Sequence, residues 1–393
     1  MKHRMASQEY YMDMAIRLAR KGIGRNSARA ICGAVVVGGG KPVGYGYADD
    51  ATDRPAILVA LEEAGPLAKD ATIYTNVEPG VDCEQPEAHL LRILEFRPER
   101  LVIGYRSKVL ADVPSRILAS FESAGITVDT GLCEDQCLET NEVYYKYRQT
   151  GLPFVTVKFA ASLDGRIATS SGESQWISSP LSLRLAHQFR REHDAVLVGI
   201  GTVLADDPQL TVRLVSGRSP MRIVIDTSLR IPDTARLLLD ADPHCTIIAT
   251  TDRADLSRVS RLEKLGAEVL VLPAAPRPAP AIPLDPQISA VSGPRERYGV
   301  SLKSLLAMLG ERHIASLLVE GGSAVITSLL ADRSVDRLVI AIAPKIIGKG
   351  TEAIGDLGIE RLRDAITFSS TKTWRLGGDI IFDGRLHPTD RSS

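Results

Sequence analysis

The chain has 393 residues, a length that suggests about two or three domains. Hydrophobic residues make up 44% and charged residues 24%, enough apolar material for more than one core. A formal net charge of −1 offers no basic field for nucleic acid and no polybasic patch for a membrane surface.

Five sparse cysteines (Cys32, Cys83, Cys133, Cys137 and Cys245) argue against a disulfide framework and for a reducing compartment. The first residues are charged and amphipathic, with no apolar signal region, and no run of about 18 apolar residues follows. A cytoplasmic chain is therefore expected.

In chain order, Tyr11, Met14, Ala15, Leu18 and Ala19 carry helical spacing that Gly22 ends. Two β-rich runs flank Gly38-Gly39-Gly40, a hairpin signal. Helices are expected at 55–67, 87–95, 115–124 and 134–149, with strands at 71–79, 100–105 and 126–131. A second α/β series begins at 154–169 and continues with strands in 194–206, 221–229, 245–251 and 267–273. Seven of the 22 prolines fall in 273–294, which reads as a semi-rigid loop. Beyond it come helices at 301–309 and 324–331, strands at 316–322 and 336–344, and a closing strand at 377–386.

Three segments could carry chemistry. In the first, a strand ends in Glu320-Gly321-Gly322-Ser323 and a helix follows at once. Two glycines there let backbone approach a ligand, and the free N–H groups of the helix suit a phosphate; a tight structural turn is the alternative. In the second, Lys158 interrupts an apolar strand, so it lies at an edge or faces a site. Trp176 stands among Ser174, Gln175, Ser178 and Ser179, which fits a pocket wall or a core-edge ring. The third, Gly199-Ile200-Gly201-Thr202, is a weak dinucleotide turn, because Leu204 replaces the third glycine. Asp207 reads as a turn cap, Asp206 as a candidate site residue and Arg213 as a candidate phosphate clamp. Cys133-x-x-x-Cys137 has no neighbouring His and does not read as a zinc site. His89, His187, His193, His244 and His313 are isolated and read as surface or core residues.

The stretch 154–213 (VKFAASLDGRIATSSGESQWIS and VLVGIGTVLADDPQLTVR within it), with LLVEGGSAVITSLL at 317–330 and APKIIGKG at 343–350, closely resembles the reductase half of the bifunctional riboflavin-biosynthesis deaminase–reductase family. GDLGI (355–359) and GGDIIFDG (377–384) extend the match. The resemblance implies a cytidine-deaminase-like α/β/α domain over 1–149 and a dihydrofolate-reductase-like α/β domain over 150–393. It implies NADPH reduction of a phosphoribosylamino-pyrimidine to its ribityl form, in a homodimer or higher oligomer, with no nucleic-acid or membrane partner. Carried over by motif, Ala160, Ser162, Trp176, Thr202, Asp206, Gly321 and Gly322 would meet NADPH. Ser174, Arg190, Leu210, Arg213 and Glu320 would meet substrate, and Lys158, Asp206 and Glu320 would surround the ribose carbon that receives hydride.

The N-terminal half follows the same family in outline only. A zinc deaminase needs His-x-Glu on one helix and cysteine ligands on another. Here the first position reads Pro55-Ala56-Ile57 and the second Pro79-Gly80, with Cys83 nearby and Gln85-Pro86-Glu87 beyond. The base-binding Asn-Pro position reads Arg29-Ala30. No zinc and no deaminase activity are therefore expected. This half is either a scaffold or a repurposed pocket touched by Arg29, Arg54 and Asp82. For the whole chain two other readings stay open: the same reduction on a related aminopyrimidine ribotide, and a non-catalytic nucleotide-binding scaffold.

Overall fold

A computed structural model describes residues 7–24, 28–48, 53–107, 112–239, 245–276 and 298–386. Most of the proline-rich stretch, and His244, lie outside them. The chain divides into two compact units between Leu152 and Pro153.

The first unit begins with α1 (Gln8–Ala19), whose Tyr11, Met12, Ala15, Ile16 and Ala19 turn inward. Strands β1 (Gly33–Gly38) and β2 (Lys41–Tyr47) form the expected hairpin, antiparallel with a shift of register between Val36 and Val37. Then come α2 (Ala56–Ala64), β3 (Thr72–Val77), α3 (Pro86–Glu95), β4 (Arg100–Tyr105), α4 (Asp112–Ser123) and β5 (Thr127–Thr130). The sheet order is β2-β1-β3-β4-β5. Side chains alternate across it. Val35, Val37, Tyr74 and Val102 pack under α1, while Ala34, Val36, Ile73, Leu101 and Ile103 pack with α2 and α4 on the other face.

The single helix expected at 134–149 is instead two, α5 (Glu134–Thr140) and α6 (Glu142–Thr150), broken at Asn141. The Asn141 side chain accepts the Ile31 N–H at 2.8 Å and donates to the Ile31 carbonyl at 3.0 Å. A residue that serves a neighbouring loop in this way competes with its own helix.

The second unit opens with β6 (Phe154–Ser162) and β7 (Arg166–Thr169). There follow α7 (Pro180–Glu192), β8 (Ala195–Gly199), α8 (Ile200–Asp206), β9 (Met221–Ile225), α9 (Arg236–Leu239), β10 (Thr246–Thr251), α10 (Leu256–Lys264) and β11 (Glu268–Leu272). Short β12 (Ala274–Pro276) and β13 (Tyr298–Val300) pair with each other. After them come α11 (Leu302–Glu311), β14 (Ser316–Gly321), α12 (Ser323–Ala331), β15 (Arg337–Ala343), β16 (Gly350–Glu352), β17 (Phe368–Leu376) and β18 (Asp379–Leu386).

Nine strands form one sheet in the order β11-β10-β9-β8-β14-β6-β15-β18-β17. It is parallel from β11 to β15, and near-continuous apolar runs supply the strands buried on both faces. The expected closing strand is half of an antiparallel hairpin, β17–β18. Strand β17 was not legible because its residues are almost all exposed and polar.

The base of the parallel sheet rests on Asp194. One of its carboxylate oxygens accepts the Ala315 N–H and the Ser316 N–H, each at 3.0 Å, and the Ser316 hydroxyl at 2.9 Å. Removing the carboxylate orphans backbone donors beside buried strands. We expect Asp194→Ala to lower unfolding free energy in urea by about 2–4 kcal/mol, from the usual cost of stranded buried donors.

Candidate active site

Ligands of open α/β sheets lie outside the carboxyl ends of the parallel strands. Glu320, Gly321 and Thr202 gather at that edge, from β14 and from the start of α8, which follows β8 directly and ends in Asp206. Strand β6 is central, between β14 and β15, so Lys158 is not an edge residue. Its neighbour Val157 pairs with Val319, which puts Lys158 level with Glu320 on adjacent strands.

Lys158 and Arg190 are each only 9% exposed. Arg190 Nε and Nη2 donate to the two Glu320 oxygens, each at 2.6 Å, and Nη1 donates to the Thr211 carbonyl at 3.1 Å. Burial pushes Lys158 toward neutrality, with Glu320 pulling the other way and Arg190 reinforcing the loss of charge. Burial would by itself raise the Glu320 carboxyl, but the Arg190 guanidinium outweighs it and the group is held below its ordinary value. The site thus contains a fixed carboxylate beside an ammonium whose hold on its proton burial weakens.

His187 lies one turn before Arg190 on α7 and is buried. In the sequence it stands isolated, but the fold brings it beside Arg190, Arg213, Glu320 and Lys158. Its Nδ1 accepts the Arg213 N–H at 3.0 Å, so its proton sits on Nε2. Burial, then Arg190 and Arg213, push its pKa down to about 4. Helix α7 itself was missed, although Ser179 at its N-cap and Pro180 at its first position are start signals.

The other candidate residues divide by what occupies their polar atoms. Ser174 donates to Asp206 at 2.8 Å, which ties the 174–179 loop to the end of α8. Trp176 is 65% exposed and is no core-edge ring. Asp207 caps α9, accepting the Arg236 N–H at 2.8 Å. Ser162 does not offer its hydroxyl outward: it donates to Asp164 at 2.6 Å and accepts the Arg166 N–H at 2.9 Å within the β6–β7 turn. Leu210 buries its side chain in the core, at φ +56°, so only its backbone can meet a ligand. Arg213 is exposed and its Nη1 donates to the Thr211 hydroxyl at 2.6 Å. Ala160 is half-buried on β6, two residues beyond Lys158.

A nicotinamide dinucleotide fits this edge. Gly321, at φ +142°, and Gly322 run beside the Thr202 hydroxyl, where an added Cβ would lie 3.5 Å from it, an ordinary contact, at the first and 3.3 Å, slightly tight, at the second. Above Gly201 there is open space. Backbone bare of side chains at a strand-to-helix turn is what a pyrophosphate needs.

The first unit does not fit a catalytic zinc. Among the described residues no cluster of three His, Cys, Asp or Glu could hold a metal ion. Ile57 is buried in the apolar core where the family needs its Glu. Asp82 accepts the Ala56 N–H at 2.8 Å and so serves the start of α2. Burial, countered by that N–H, leaves its carboxyl raised. Gly80 sits at φ +95°, and a Cβ there would lie 2.5 Å from the Ile117 side chain. Arg29 pairs with Asp53 at 3.0 Å and with Glu84, and Arg54 pairs with Glu62. Arg29, Arg54 and Asp82 thus each have a partner within the unit.

A family model for the RibD C-terminal domain matches residues 153–382. The RibD riboflavin biosynthesis protein of Aquifex aeolicus is 36% identical over 94% of this chain and 96% of its own length. That of Escherichia coli is 32% identical over 95% and 97%. A Thermotoga maritima structure, described as a diaminohydroxyphosphoribosylaminopyrimidine deaminase and 5-amino-6-(5-phosphoribosylamino)uracil reductase, superposes with a TM-score of 0.76 at 28% identity, covering 96% of this chain and 98% of its own. The chain belongs to the RibD family of riboflavin biosynthesis proteins. Its first unit has the deaminase-like fold, and its second the dihydrofolate-reductase-like fold of an oxidoreductase acting on a small molecule. No helix among the described residues is long and apolar enough to cross a membrane.

His187 and His193 give a pH signature. His193 donates from Nδ1 to the Phe189 carbonyl at 2.7 Å, accepts the Thr156 hydroxyl at 3.0 Å, and is pushed down to about 4 by burial. A base whose folded pKa is depressed binds its proton only after unfolding. Stability is therefore complete above pH ~6.5 and falls toward pH ~4, each histidine taking up close to one proton on unfolding, a slope of at most about 1.4 kcal/mol per pH unit. Urea midpoints between pH 7 and 5 should show this fall, and His193→Gln should remove roughly half of its slope.

Proposed function

We propose that the second unit reduces 5-amino-6-(5-phosphoribosylamino)uracil to its ribityl product with NADPH, and that the first unit has lost its deaminase chemistry. The observation that carries this reading is the trio toward the carboxyl ends of the parallel strands: Lys158 level with Glu320, and Glu320 locked by Arg190 beside the Gly321-Gly322 turn. When bound, NADPH supplies a hydride to ribose C1′.

As C1′ gains that hydride, its bond to the ring oxygen breaks, and the oxygen needs a proton. Lys158, already driven toward neutrality by burial, gives that proton easily and takes another from solvent on product release. Glu320 stays ionised, so it serves as an acceptor for ribose hydroxyls and as a counter-charge to the developing cation, not as an acid. Asp206 orients the site through Ser174.

The 5′-phosphate goes to Arg213 rather than Arg190. Three of the five N–H donors of Arg190 are spent on Glu320 and Thr211, and the group is buried. Arg213 is exposed, and its backbone is fixed by His187.

Full-length protein, NADPH and the already deaminated substrate should give loss of absorbance at the reduced nicotinamide band. Lys158→Met should lower kcat about 100-fold or more. Arg213→Ala should mainly raise the substrate KM, by about 10-fold. No oxidation of NADPH at micromolar protein would refute the reading. Metal analysis should find no stoichiometric zinc, and the amino-pyrimidine precursor should release no ammonia; one zinc per chain with ammonia release would reverse the reading of the first unit.

A further inference from the structure

The loop 174–179 carries the two residues assigned above to substrate and cofactor, Ser174 and Trp176. It is a surface loop, and the Trp176 ring is 65% exposed, so core packing does not hold it. Polar contacts hold it at three points. Ser174 is fastened to Asp206 at 2.8 Å. The Ser179 N–H donates to Asp379 at 2.8 Å, and the same carboxylate oxygen accepts the Ser182 hydroxyl at 2.5 Å. Between them the Lys345 ammonium donates to the Trp176 carbonyl at 2.7 Å.

Lys345 stands on a loop that is itself tightly sewn to the β6–β7 turn. Leu163 N–H donates to the Lys345 carbonyl at 2.8 Å. Asp164 accepts the Ile347 N–H at 3.1 Å and the Gly348 N–H at 2.7 Å, and Arg166 Nε donates to the Gly348 carbonyl at 3.0 Å. The Ser162 hydroxyl, then the Ile347 and Gly348 N–H groups, hold the Asp164 carboxyl down at about 2, so this anchor is charged at every working pH. Strands β7 and β16 continue the pairing beyond the anchor.

We propose that Lys345, anchored through Asp164, is a positioning residue that holds Trp176 for the cofactor. This rests on the reductase reading for the identity of the cofactor, but the contact itself concerns the free protein. The aliphatic stem of Lys345 spans the gap between two loops, and its ammonium fixes the peptide that follows Trp176. A fixed peptide spares the binding step the cost of ordering the Trp176 ring.

The test uses full-length protein with Trp374→Phe, which leaves Trp176 as the sole tryptophan. Trp374 lies on β17, outside the site. Trp176 anisotropy is read without cofactor, and NADPH affinity is read by energy transfer from Trp176. In this background Lys345→Met should lower the anisotropy and weaken NADPH by about fivefold, the worth of one modest hydrogen bond. At saturating NADPH, kcat should stay within about twofold, and Lys345→Arg should restore both readings. Asp164→Asn should shift both in the same direction by less, which keeps the test open if Lys345→Met misfolds. Unchanged anisotropy and affinity in Lys345→Met would overturn the proposal, as would a loss confined to kcat. Failure of the parent to bind NADPH would instead sink the cofactor reading, while the anisotropy still decides the contact.

Discussion

The Arg190–Glu320 pair is the constraint around which the second unit is arranged. Two opposite charges lie out of water, joined by two parallel hydrogen bonds of 2.6 Å. Such a pair adds little net stability, because desolvation offsets the attraction, but breaking it by removing one partner costs about 3–5 kcal/mol. Its value is geometric. A carboxylate clamped by a bidentate guanidinium cannot rotate and does not protonate near neutral pH. Everything else at the site is then defined relative to it: Lys158 on the next strand, His187 on the same helix as Arg190, and the glycine turn that follows Glu320.

Much of this was legible in the sequence, and the limits have physical reasons. The strand–helix alternation could be read because buried parallel strands are apolar throughout. Lys158 stood out because a single ammonium in such a run is costly. The helix at 134–149 was misread as continuous because Asn141 is spent on Ile31, more than a hundred positions away, and no local pattern announces that contact. Leu210 carried a family role without any sign that its side chain is part of the core. His187 shows the same gap from the other direction. Its sequence neighbours are unremarkable, and its importance comes from Arg213, which approaches from another element.

The two units also differ in how they treat buried polar groups. In the second, Arg190 is paired with Glu320 and Arg337 with Asp383. In the first, the buried carboxylates Asp82 and Glu78 accept from backbone N–H groups and a tyrosine hydroxyl. Asp82 serves the Ala56 N–H, and Glu78 accepts the Ser107 N–H and the Tyr145 hydroxyl, each at 3.2 Å. Asn76 accepts the Gly33 N–H at 2.8 Å and donates to the Ile31 carbonyl at 3.0 Å. Groups satisfied in this way rigidify a fold and leave little free to meet a ligand.

The conformation of Gly80 carries this further. At φ +95° this position resists a thiol-bearing residue on backbone grounds, and the tip of the Ile117 side chain, 2.5 Å from where a Cβ would stand, would have to shift as well. Ile57 likewise fills apolar space that a carboxylate would occupy only at a cost of several kcal/mol without a metal to pair it. A metal needs several ligands at once, so single changes at these described positions would be felt in stability before any metal could bind. Ligands for one there would have to come from α2, the 79–83 turn and α4 together.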